Sequence, residues 1–309
     1  MRRRIATSCS VLRMSSPQQL AIVQRAGAAA DIAVAGTYSG ADKAIGAVQG
    51  RYGAAAPSEL TASVSGGALS GTLASCAQGQ GLLRMWSSLD PNAQAAVHIG
   101  IGDVFAVAGQ SNAEGSANNY QDYAHATLLA GMYTSSTWSN LRHRSPWPGV
   151  ATAFMADQAV PIGFAMTAVG STTIAMWQPT AAEGYYDALV SAITAVGGVK
   201  AVLWWQGESD VSAGTAEATY NAGLDTVANA LYAAAGVRMI VAQLQTWGSA
   251  GNLAAIRSAI STAWSDNDNV VPGPDFSDLT PSDGPHFVTD EEIAVVAARW
   301  WAAIDAGLY

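Results

Sequence analysis

The sequence predicts an α/β protein: a three-layer α/β/α domain on a five-stranded parallel sheet, preceded by a small β-sandwich domain. Three observations carry this expectation. Between Pro17 and Gly102, short β-rich runs follow one another with Gly between them and no helical periodicity, the texture of a small antiparallel sandwich. After Asp103, short apolar runs alternate with Ala-rich helical patterns, as parallel strands joined by right-handed crossovers require. Half of the 309 residues are hydrophobic and 12% are charged, which is ample material for a large core. The change of texture puts a domain boundary near residue 102, assigning 17–102 to the sandwich and 103–309 to the α/β domain. Residues 1–16 read as an arm without fixed structure.

In the sandwich, candidate strands are Leu20 to Val23, Asp31 to Tyr38, Ala44 to Val48, Thr61 to Val64, Leu82 to Trp86 and Ala95 to Ile101. In the α/β domain they are Val104 to Ala108, Pro161 to Ala168, Ala201 to Trp205, Arg238 to Leu244 and Val270 to Pro272. Helices lie between them. Tyr220, Leu224, Val227 and Leu231 recur on one helical face, as do Leu253, Ile256, Ile260 and Trp264. The last helix starts at Thr289, an N-cap with Glu292 three residues on to complete a capping box, and should bury Ile293, Val296, Trp300 and Ile304. The first strand of the parallel sheet is expected to be central, so its carboxyl end lies at or beside the point where the winding switches.

Charge is divided unevenly. Residues 1 to 100 carry 8 Lys and Arg against 4 Asp and Glu, and residues 101 to 309 carry 6 against 19. An acidic domain repels polyphosphates, so nucleic acid is not an expected partner and neutral substrates are favoured. No stretch reaches the roughly 18 apolar residues that span a bilayer, and membrane insertion is not expected. Met1-Arg2-Arg3-Arg4 resembles the start of an export signal, but Thr7, Ser8, Ser10 and Arg13 interrupt the stretch that would have to be apolar, leaving the compartment open. Of two cysteines, Cys9 lies in the arm and Cys76 in the sandwich; neither has a neighbour spaced for zinc or redox chemistry.

The candidate chemistry gathers at strand ends. Val104 to Ala108 stops at Gly109, which permits a sharp turn presenting Ser111 where a following helix offers free N–H groups to an anion. Ser is also a common turn residue, so a partner is needed. Of His98, His125, His143 and His286, only His286 has a carboxylate at a useful spacing: Asp283 precedes it by three residues, and Pro285 stiffens the loop between. The plain alternative is an Asp-Gly turn before a surface His. Gly170 and Gln206 follow the second and third strands, supplying a backbone N–H and a side-chain amide, both suited to hold an oxyanion.

Gly109-Gln110-Ser111-Asn112, the block around Gly170, Trp205-Gln206-Gly207-Glu208 and Asp283-x-x-His286 resemble, in order, the four sequence blocks of the SGNH (GDSL-like) hydrolases. Ser171-Thr172-Thr173-Ile174-Ala175-Met176-Trp177 is similar to a segment of the sialate O-acetylesterase-like carbohydrate esterases. The resemblance covers about residues 103 to 305. It implies a flavodoxin-like fold and a serine esterase that removes acetyl groups from carbohydrate hydroxyls through Ser111, His286 and Asp283, with Ser111, Gly170 and Gln206 forming the oxyanion hole. The third block departs from the wider superfamily, with Gln206-Gly207-Glu208 where Gly-x-Asn-Asp is usual. Trp177, Gln110 and Glu208 are the candidate substrate contacts, with loop support the expected role of Glu208, and Asn112 is expected to brace the nucleophile turn. At least one of Trp204 and Trp205 should be core, because they alternate across a strand.

An acetylated glycan or small ester is the expected partner, and no cofactor or metal is expected. Asp266-Asn267-Asp268-Asn269 lacks the Gly and Glu of a calcium loop, and Gly100-Ile101-Gly102 precedes its strand instead of following it. Two alternatives stay open: a lipid or aryl esterase of the same superfamily, and a glycan-binding or adhesion module on an idle esterase fold. For the sandwich, a structural appendage is expected over a carbohydrate-binding role.

Overall fold

The computed structural model describes residues 11–39, 48–56, 58–65, 67–89, 92–247 and 251–309. The N-terminal lobe holds strands β1 (Val11–Ser16), β2 (Ile22–Gln24), β3 (Ala29–Ser39), β4 (Val48–Tyr52), β5 (Ser58–Glu59), β6 (Thr61–Ser65), β7 (Ala68–Ala77) and β8 (Gly79–Ser87). β1, β3, β7 and β6 form one antiparallel sheet in that order. In the other sheet β8 pairs with β4 and with the start of β9 (Gln94–Gly109), while β2 joins β9 in parallel. β3 alternates buried and exposed residues along its length, as a strand with one face on a core must. Ile32, Val34, Leu69 and Leu73 from the first sheet share a core with Val48, Leu83 and Met85 from the second.

β9 continues through both lobes. Up to Ile101 it pairs with β8, and from Asp103 it pairs with β14 (Ile162–Met166). From Ile99 to Gly109 every residue is buried, because here the strand is covered on both faces, which explains why Val104 to Ala108 is a continuous apolar run. Beyond it come α1 (Ser111–Glu114), a short ribbon of β10 (Gln121–Asp122) with β13 (Arg142–His143), the hairpin β11 (Ala130–Thr134) and β12 (Thr137–Asn140), and α2 (Trp147–Gln158). After β14 follow α3 (Tyr185–Ala195), β15 (Ala201–Trp205), α4 (Glu208–Ala213), α5 (Glu217–Ala235), β16 (Met239–Val241), α6 (Leu253–Asp266), β17 (Val270–Pro272) and α7 (Asp290–Leu308).

The large sheet runs β12-β11-β14-β9-β15-β16-β17, with every pair parallel except β11 with β12. α2 packs with α7, and α5 with α3 and α6, giving helix layers on either side. The three-layer class, the five expected strands and the central place of β9 all appear. Thr289 caps α7 with Glu292 in a full capping box, and Ile293, Val296, Trp300 and Ile304 are buried beneath it.

Three expectations need correction, the first in the N-terminal lobe, where β7 is a strand that the expected set lacks and that pairs with β3 and β6. The parallel sheet has a sixth strand, β11, whose Ala130-Gly131-Met132-Tyr133-Thr134 is too short and Gly-broken to stand out; its pairing with β14 makes it a strand. The supposed arm is structured from Val11 onward, since Leu12 is buried and β1 pairs with β3. Residues 1–10, with Cys9 and the Arg2 to Arg4 run, and residues 44–47 of one expected strand lie outside the described residues. Cys76 is a buried free thiol that burial pushes up to about 11, as expected of an inert packing residue.

The lobes are tied at Asp103. Its fully buried carboxylate accepts from Arg25 Nε at 3.0 Å and Nη2 at 2.8 Å, from Gln24 Nε2 at 3.2 Å, and from the Tyr309 hydroxyl at 2.5 Å. Burial pushes the Asp103 carboxyl up, but the hydrogen bonds from Arg25 and Tyr309 outweigh it, so it stays below its ordinary range. Removing one partner of such a pair strands the other charge. Arg25→Ala is therefore expected to lower the unfolding free energy by about 3–5 kcal/mol, read as a fall in the urea midpoint, and a midpoint within error of the parent would refute this.

Candidate active site

Gly109 turns the chain at the end of β9 with φ +121°, where a Cβ would lie 2.0 Å from the Trp205 carbonyl oxygen. Only glycine fits so close to the neighbouring strand. The chain then enters α1, and as its first residue Ser111 has an N–H with no partner inside the helix. The second loop is brought alongside by side chains. Asn112 Nδ2 and Gln245 Nε2 both donate to the Pro285 carbonyl, at 2.9 and 2.6 Å, while the Phe287 N–H donates to Asn112 Oδ1 at 3.2 Å. This clamp sets Ser111 Oγ 2.8 Å from His286 Nε2, although the residues are 175 apart in sequence.

Asp283 meets His286 through the main chain: the two pair as an antiparallel bridge, with His286 N–H donating to the Asp283 carbonyl at 2.9 Å. Among the described residues no hydrogen bond or ion pair joins the exposed Asp283 carboxylate to the imidazole. The other histidines stand apart from this pair. His125 Nδ1 accepts from the Leu128 N–H at 3.0 Å, and His143 Nδ1 lies 2.9 Å from Ser145 Oγ. His98 lies in β9, on the half that pairs with β8.

Gly170 lies beside Ser111, and its N–H is held by Glu114, whose Oε2 accepts it at 2.6 Å. Three of the sequence expectations are corrected by burial. Gln206 is fully buried, and its amide nitrogen donates to Asp210 Oδ2 at 2.6 Å and Thr172 O at 2.8 Å, which commits both hydrogens away from an oxyanion. Trp177 is fully buried, edge-on to Trp204 at 5.1 Å with its indole N–H on Thr172 Oγ1, and so belongs to the core. Gln110 is buried, its Oε1 accepting from the N–H groups of Gly207 and Ser209 at 3.3 and 3.1 Å where α4 begins. Glu208 is buried behind the two loops. Trp204 and Trp205 are both core, one on each face of β15.

Sequence reasoning missed three residues of this site. Asp210 sits one helical turn after Gln206 and draws its amide inward. Glu114 sits one turn after Ser111, a spacing that puts both on one face and was the available signal. Gln245 follows β16 in a loop and carried no signal. Among the described residues, no cluster of three His, Cys, Asp or Glu side chains is set to hold a metal ion.

Glu208 explains how the clamp is stiffened. Its Oε1 accepts from Asn112 Nδ2 at 2.9 Å and Gln245 Nε2 at 3.0 Å, so a single oxygen orients both amides that grip Pro285. Burial raises the Glu208 carboxyl above its ordinary 4.5, against the lowering effect of those two hydrogen bonds. The folded chain therefore keeps this proton where the unfolded chain releases it, so the contribution to stability is full below 4.5 and declines as pH rises through the folded value. Glu208→Gln keeps an acceptor for both amides and removes the titration. Urea midpoints measured from pH 4 upward should fall more steeply in the parent than in this variant, and parallel curves would refute the assignment.

The family described as carbohydrate esterase, sialic acid-specific acetylesterase matches residues 101–298, more than half of the chain. A carbohydrate acetylesterase from Xanthomonas citri is similar in fold, with TM-score 0.66 and 18% identity over 94% of this chain and 74% of that one. An Arabidopsis thaliana protein is similar with TM-score 0.56 and 21% identity, covering 67% of this chain and 98% of that one. No curated protein sequence matches the chain. Matched through the region that holds Ser111, Gly170 and His286, the chain belongs to this carbohydrate esterase family and is a carboxylic ester hydrolase.

Proposed function

We propose that the protein is a serine esterase that removes acetyl groups from carbohydrate hydroxyls, and the observation that carries this is the 2.8 Å approach of Ser111 Oγ to His286 Nε2. With its proton on Nδ1, His286 accepts the Ser111 proton at Nε2 as Oγ bonds to the ester carbonyl carbon. The carbonyl oxygen takes the negative charge and is held by the N–H groups of Ser111 and Gly170. Collapse breaks the bond to the sugar oxygen, which leaves with the proton from Nε2. Water then attacks the acetyl-enzyme with His286 again as base, releasing acetate and restoring Ser111.

Asp283 is assigned the support of the imidazolium. Residues paired across an antiparallel bridge have Cβ atoms about 5 Å apart, so rotation of the Asp283 side chain puts its carboxylate within reach of Nδ1. That the substrate is a carbohydrate and the acyl group acetyl is supported by the family match.

Acetate release from acetylated xylan, O-acetylated sialic acid and aryl acetates tests the reading. Ser111→Ala and His286→Ala are each expected to lower kcat by on the order of 10⁴-fold or more with the fold intact by circular dichroism. Asp283→Ala should cost less than either. Full activity in Ser111→Ala would end the proposal, and an acyl-chain optimum of eight carbons or more would replace the acetylesterase with a lipid esterase.

A further inference from the structure

Glu114 occupies ground that the reaction needs. Its Oε2 accepts the Gly170 N–H at 2.6 Å, and a Cβ built on Gly170 would stand 2.8 Å from that oxygen and 3.9 Å from Ser111 Cβ. A carboxylate thus occupies the donor assigned to the oxyanion, on a glycine that lies beside Ser111. A full negative charge where negative charge must build opposes the step, so the ester carbonyl has to displace it. Displacement is within reach, because the side chain is exposed and, among the described residues, no Lys, Arg or His forms an ion pair with it. Nearby cations are engaged elsewhere: Arg142 with Asp122, and both Arg142 and Arg144 over the Tyr120 ring.

We infer that Glu114 is a specificity-determining residue that closes the Gly170 donor in the free enzyme as an internal stand-in for acetate, and that selects neutral or amine-bearing acetylated sugars over carboxylate-bearing ones. Swung aside on its short helix, it stays at the rim of the cleft. There it accepts from sugar hydroxyls or an ammonium group and repels a second carboxylate, such as that of sialic acid, at a separation too short for salt to screen fully. This inference rests on the serine-esterase reading of Ser111 and Gly170.

The test compares the parent with Glu114→Gln, which removes the charge, and Glu114→Ala, which also removes the acceptor. Values of kcat/KM are measured on an O-acetylated methyl glucoside, O-acetylated glucosamine and O-acetylated sialic acid. The parent should favour the first two by about tenfold or more over the sialic acid ester, and Glu114→Gln should shrink that preference about tenfold, chiefly by raising the rate on the anionic ester. Acetate is titrated into the same proteins by calorimetry, and Glu114→Ala should bind it about tenfold more tightly than the parent, because the Gly170 N–H is free. A preference unchanged in Glu114→Gln, or equal acetate affinity in parent and Glu114→Ala, overturns the inference. If the parent hydrolyses none of the esters, the esterase reading fails by itself; the acetate titration, which needs no turnover, then decides whether Glu114 holds Gly170.

Discussion

The site depends on one side chain, the amide of Asn112. It donates to the Pro285 carbonyl and to Glu208, and its oxygen accepts from the Phe287 N–H and the Ser116 hydroxyl. A buried amide with all four bonds made has one orientation, and leaving any of them unmade in the interior is costly. The histidine loop is therefore referenced to the residue immediately after Ser111. Glu208 and Gln245 repeat the grip from behind, so the two loops are held by a connected polar network instead of by apolar contact, which slides more easily.

That network stands on the carboxyl ends of β9, β15 and β16, and the strand order explains why. β9 lies between β14 and β15, so the turn at Gly109 opens directly beside Trp205 and the Gly170 loop, and a glycine is demanded by the carbonyl of Trp205. Beneath, Trp205 packs with Phe276, Phe287 and Trp300, so the residue after His286 belongs to the core that α7 covers. The loop's position is thus secured by burial on one side and by hydrogen bonds on the other.

How much of this was legible in the sequence depends on which interactions are local. A Ser after a strand-ending glycine is a pattern within one loop, and so is a His three residues after an Asp; the first lies against the His286 ring, while the second is joined only through the main chain. The capping box at Thr289 is local in the same way. Side-chain direction was less legible. Gln206 has the chemistry of an oxyanion donor, but Asp210 and the Thr172 carbonyl compete for its hydrogens, and neither competitor is visible without the fold. Trp177 reads as a sugar-stacking face until Trp204 is placed against it. β1 and β11 were missed because their pairing with β3 and β14, more than their own residues, makes them strands.

The unbroken course of β9 has a consequence for how the two lobes move. Its 16 residues span about 50 Å as a strand, bonded to neighbours in both lobes. A linker would let the edge that carries Ser111 tumble with respect to the N-terminal sheets; a shared strand, locked further where Arg25 meets Asp103, gives it a fixed heading. Ser111, just past the end of that strand, is therefore held at one angle to the N-terminal sheets, like the tip of a stylus whose angle is set by the hand that holds it.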